Sequence, residues 1–137
     1  MPDLVLNPLQ QRLFEILDAD ATLTALIGSD RIFDNAPDDI DMPYVVIGDD
    51  ALNGWDGHTF DGFEGPVTLH VWTEGEGKKD NKKILNRLYQ LLHNIDIAIP
   101  SFNTITFRCI FNEVLIEPED NRTYHGVQRY NLTVTGV

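Results

Sequence analysis

The 137-residue chain sets 22 acidic residues against ten basic ones, a net charge of −12, with a 42% hydrophobic fraction. That fraction excludes general disorder, and the length suits one domain spanning residues 1–137 with a core of its own. The charge argues against a protein that grips nucleic acid through its phosphates. It keeps a small protein dispersed, and it permits a surface that DNA passes without sticking.

In chain order, "MPDLVLNPLQQ" lacks the basic start and small-residue cleavage site of a signal peptide. No apolar run approaches the roughly 18 residues that cross a bilayer, so no membrane partner is expected. Leu9, Leu13, Ile16 and Leu17 recur on one helical face after Asn7-Pro8. "ATLTALIG" predicts a second, short helical turn with Leu23, Leu26 and Ile27 together, stopping at Gly28. "RIF" and "PYVVIG" read as short strands, the latter apolar on both faces and so expected inside a sheet.

Between these two strands lies an acidic, proline-flanked stretch holding Asp38, Asp39 and Asp41, followed after the second strand by Asp49 and Asp50. A catalytic carboxylate pair needs a neighbour that shifts one of the two pKa values, and the sequence supplies none. The composition favours a solvated turn feeding the strand. Residues 50–65 carry Gly54, Gly57, Gly62 and Gly65 among aspartates and predict a long loop or loose hairpin. Trp55, Phe60 and Phe63 fall in it, either as anchors of a protein contact or as a cap folded back over the sheet.

"PVTLHVW" alternates Val67, Leu69 and Val71 with Thr68, His70 and Trp72. Trp72, opposite the core face, is a further contact candidate unless a second layer covers it. The strongest helix signal follows: Ile84, Leu85, Leu88, Leu91, Leu92 and Ile95 form one stripe opposite Lys82, Lys83, Asn86, Arg87 and Gln90. Asp80 and Asn81 are the expected N-cap residues. After Pro100, Ile105, Phe107, Cys109 and Phe111 are expected on one strand face, against Thr104, Thr106, Arg108 and Ile110. "EVLIEPEDNRT" is expected to turn, and the final strand places Tyr130, Leu132 and Val134 together. The sum is an α+β fold, a mostly antiparallel β-sheet with two main helical elements packed on one face.

Catalytic patterns fail one by one. "DDALNG" imitates the start of a calcium loop, with Asp49, Asn53 and Gly54 at positions 1, 5 and 6, but Ala51 and Phe60 stand where ligands are needed. "GEGKKD" would need glycine at Trp72 and a hydroxyl residue at Lys79 to make a phosphate loop. The serines, Ser29 and Ser101, sit in no nucleophile elbow. The lone cysteine, Cys109, reads as a small hydrophobe in a reducing, cytoplasmic setting. His58, His70, His93 and His125 occupy separate elements without ligand spacing. No enzyme, no cofactor and no metal site is expected. By themselves the residues leave open a small soluble acidic binding or regulatory protein without catalytic activity.

Four stretches in order, "LIGSDRIF" (26–33), "PYVVIG" (43–48), "TLHVW" (68–72) and "YHGVQRY" (124–130), carry a resemblance. The chain resembles the tail completion proteins, tail terminators or head-to-tail joining proteins, of long-tailed bacteriophages and prophages. The segment "EPEDNRTYHG" departs from the shorter turn of that family. The resemblance implies a structural protein that caps the tail tube and forms or supports the head-to-tail junction as a homo-hexameric ring. Its implied partners are further copies of itself, the major tail tube protein and a head-completion or connector protein, with DNA only in passage. It would be assembled in the host cytoplasm and reside in the virion tail. Asp38, Asp39, Asp41, Asp49 and Asp50 would then lie on an acidic loop surface or on the lumen wall.

Overall fold

The computed structural model describes residues 4–58, 61–75 and 77–136. Among these residues three helices, α1 (Leu6–Asp18), α2 (Ala21–Ile27) and α3 (Lys79–Leu92), accompany six strands. The strands are β1 (Ile32–Phe33), β2 (Tyr44–Gly48), β3 (Asn53–Gly54), β4 (Gly62–Glu74), β5 (Phe102–Ile116) and β6 (Thr123–Gly136). They form a mixed sheet in the order β1-β2-β4-β6-β5, with β3 paired to β4 alongside β2. Among the described strands the β1–β2 pair is parallel and the other pairs are antiparallel, so the architecture is the expected α+β one.

The apolar stripes decide the layering. Leu9, Leu13 and Leu17 of α1 are buried against β1 and β2. Ile84, Leu85, Leu88 and Leu92 of α3 are buried against β4, β5 and β6. These residues join Val45, Ile47, Val67, Leu69, Val71, Tyr130, Leu132 and Val134 in one hydrophobic cluster. Pro8 falls in the first turn of α1, where its missing N–H has no helical partner to lose. Asp20 caps α2 by accepting from the Leu23 N–H at 2.8 Å. The same carboxylate takes two bonds from Arg87 of α3, at 2.9 and 2.7 Å. That pairing, opposed in part by burial, holds Asp20 below the usual carboxylate range.

Asn81 does not cap α3, contrary to the sequence expectation. The helix starts at Lys79 after Lys78, without a side-chain cap, and Asn81 lies fully buried one turn in. Its Nδ2 donates to Val71 O, Thr73 Oγ1 and Tyr124 O at 3.0, 3.1 and 3.3 Å. The reason is tertiary: three acceptors of β4 and β6 lie beneath that position, and a buried acceptor without a donor is costly. Gly126 makes room for this amide, since a Cβ there would stand 2.2 Å from Asn81 Oδ1.

β5 also departs from simple alternation. Its pairing with β6 shifts between Thr104 and Thr106 and again between Cys109 and Phe111. Each shift is a bulge that inserts one residue, Ile105 and then Ile110, and turns over the face that follows. Phe102, Phe107, Cys109 and Val114 therefore pack on the core, while Ile105 and Phe111, expected on that face, are exposed. The strand also runs on through Ile116, further than the expected turn. The turn itself is tied by Asp120, which accepts from the Arg122 and Thr123 N–H groups and from the Thr123 hydroxyl. Those three bonds lower its carboxyl pKa to about 2.

Candidate functional site: the uncovered sheet face and the two sheet edges

No described helix covers the second face of the sheet. Alternation along β2, β4 and β6 turns Tyr44, Val46, His70, Trp72, His125 and Arg129 onto it, all half-buried. Trp72 pairs with His125 across β4–β6, and the rings stack with centroids 4.0 Å apart and 9° between planes. His70 Nδ1 lies 2.8 Å from His125 Nε2, and His70 Nε2 lies 2.8 Å from Asp49 Oδ2. His125 Nδ1 faces Glu117 at 3.7 Å. The four groups form a line across the sheet instead of converging on one point. Among the described residues no group of three or more histidine, cysteine or acidic side chains could hold a metal ion.

The line has one consistent neutral arrangement. With the Asp49 carboxylate accepting from His70 Nε2–H, His70 Nδ1 accepts from His125 Nε2–H. Burial, and then the neighbouring His70, push the His125 pKa down, against the pull of Asp49. A base depressed in the native state contributes full stability only above its unfolded pKa of about 6.5. As pH falls, the unfolded chain takes the proton first. The melting temperature is therefore expected to drop as pH falls below about 6.5, and His125→Gln to flatten that part of the profile. An unaltered slope in the variant would remove His125 from the titration.

The two edges of the sheet are unlike. On one side stands the two-residue β1, next to Phe14 of α1 and the loop 34–42. Asp38, Asp39 and Asp41 are exposed there, and their carboxylates make no ion pair among the described residues. On the other side β5 offers fifteen residues of edge strand with Ile105 52% and Ile110 57% exposed, and with Phe111, Leu115 and Ile116 exposed as well. A long apolar edge is a ready template for another chain. Beside it runs a groove of about 440 Å³ between α3 and β5, bordered by Lys78 and Lys82 and floored by Leu85, Tyr89 and Val114. Gln128 seals its base, donating to Leu85 O and Asn112 Oδ1 while accepting from the Tyr130 hydroxyl at 2.7 Å. Burial raises the pKa of that hydroxyl far above its ordinary value and keeps it a donor.

The remaining expected contact residues are dispersed. Trp55 is 39% exposed just past the β3–β4 pairing, where its N–H donates to Gly62 O at 2.7 Å. Phe63 lies within β4, packs on the core and meets Phe102 edge-on at 6.3 Å. Phe60 lies outside the described residues. Asp49 takes part in the histidine line, and Asp50 is half-buried beside it. The sequence reading treated the histidines as separate and missed the β5 edge altogether. "TLHVW" laid antiparallel on "YHGV" would have opposed Trp72 and His125, but only once their register was known.

An exposed edge strand, an uncovered aromatic face and no converging catalytic groups among the described residues define an assembly module. The sequence matches the family of the tail completion protein gp17 over residues 11–135, and the chain belongs to that family. It is accordingly a structural protein of the bacteriophage tail. The fold is similar to a chain in the virion of a native gene transfer agent particle, at a TM-score of 0.88 and 20% identity, covering 98% of this chain and 100% of that one. It is also similar to the gp17 protein of bacteriophage SPP1, at a TM-score of 0.65 and 20% identity, covering 96% of each chain. No curated protein matches the sequence.

Proposed function

We propose that this protein caps the tail tube at its final length and supports the head-to-tail junction as a six-subunit ring, without a catalytic step. The observation that carries the reading is the difference between the two sheet edges. A closed ring needs a heterologous contact, one patch meeting a different patch on the next copy. A short acidic edge and a long apolar one supply two such patches on a single chain. The partners on either side are the tail tube protein and a head-completion or connector protein. The net charge of −12 fits a lumen that repels phosphates and lets DNA pass unheld. Trp55 and Trp72, exposed or half-exposed outside the core cluster, remain candidates for contacts with ring or tube. Phe63, turned toward the core, is the weaker candidate.

Deleting the gene from its phage is expected to leave tails of irregular length that fail to join heads, as seen by electron microscopy. Tails of normal length on normal heads would overturn the reading. Trp55→Ala and Trp72→Ala, introduced singly into the same phage, report whether either aromatic contributes.

A further inference from the structure

We infer that the groove between α3 and β5 is the receiving half of the contact between copies of this chain, and that its occupant is the acidic 34–42 loop of the neighbouring copy. The inference rests on the ring reading above and assigns its contact surfaces. Four of the ten basic residues, Lys78, Lys79, Lys82 and Lys83, fall within six positions at the start of α3. None of their ammonium groups makes an ion pair or hydrogen bond among the described residues, whereas Arg12 and Arg87 are matched by Glu15 and Asp20. Lys78 and Lys82 border the groove; Lys83 instead stands near Met42 and Pro43 of its own chain. On a protein of net charge −12, a groove lined by two unpaired lysines against one carboxylate, Glu113, is the feature that stands out.

The complement is present on the same chain but on the far side of the sheet. Asp38 and Asp39 project from the loop beyond β1, while the groove lies at β5, four strand spacings away in the order β1-β2-β4-β6-β5. At roughly 4.8 Å per spacing the two edges are about 19 Å apart, and among the described residues none of Asp38, Asp39 and Asp41 pairs with Lys78 or Lys82 of its own chain. A second copy placed side by side brings the two together. Phe14, 39% exposed beside β1, and Ile110, 57% exposed on β5, supply apolar area at the two edges that meet. Opposite charges on dissimilar patches fix a head-to-tail register and disfavour the two-fold alternative, in which like patches would face each other.

The test is a charge swap in a gene-deleted phage supplied with variant protein, read as the fraction of tails bearing a terminal ring. Lys78→Glu with Lys82→Glu sets acid against acid, and Asp38→Lys with Asp39→Lys sets base against base. Each pair alone is expected to lower the ring-bearing fraction about tenfold or more. All four changes in one chain restore the attraction, as does co-expression of the two variant chains, which then alternate around an even-numbered ring. All four side chains are exposed, so purified variants are expected to melt like the wild type. Rings that survive either reversal, or a folded four-change chain that fails to recover them, would overturn this contact while leaving the ring intact. Wild-type tails without a terminal ring would refute the ring reading itself, and this contact with it.

Discussion

Replacing Leu88 by alanine is expected to lower the unfolding free energy by about 2–5 kcal/mol, the range for removing a fully buried leucine. Leu88 has no exposed surface and stands in the middle of the α3 stripe, between Ile84, Leu85 and Leu92. The helix touches β4, β5 and β6, so its apolar face is the main cover over the inner part of the sheet. Truncation removes the transferred methyl groups and leaves a void that neighbours held by the sheet cannot fully close. Chemical denaturation measures the effect. The same change at Tyr89, which is 40% exposed on the groove side, would be far milder. A denaturation midpoint unmoved by Leu88→Ala would take α3 out of the core.

Asn81→Asp is expected to be as severe, about 3–5 kcal/mol at neutral pH, although it preserves shape almost atom for atom. The amide nitrogen feeds three acceptors at once, and the amide oxygen has no partner among the described residues. The orientation is forced: turned over, the oxygen would face Val71 O and Tyr124 O. A carboxylate there is buried, unpaired and aimed at carbonyl oxygens. Its pKa must rise, so the penalty is present above that raised value and is relieved as acid protonates the group and restores one donor. Denaturation curves at pH 7 and pH 5 should show the gap from wild type narrowing in acid. A variant as stable as wild type at pH 7 would mean that the amide contributes nothing to docking α3.

What the sequence determined by itself was whatever repeats along the chain. The α3 stripe, the alternation of Val67, Leu69 and Val71, and that of Tyr130, Leu132 and Val134 were legible because burying one face of an element imposes a period on its own residues. Composition likewise set the charge, and the ordered short stretches pointed to the family that the chain belongs to. The tertiary structure alone decided matters of pairing. The β5 bulges at Ile105 and Ile110 reverse the strand's faces, yet nothing in "TITFRCIF" marks them, because they exist only against β6. Asn81 read as a cap because polarity near a helix start is locally ambiguous. Its true role depends on carbonyls supplied by Val71 and Tyr124. The histidine line joins residues 55 positions apart through cross-strand register. The lysine-bordered groove and the acidic loop could be told apart as surfaces only once the strand order had placed them at opposite edges. Local periodicity is an energy that each segment carries with it, whereas register, bulges and edges are relations between segments that only folding creates.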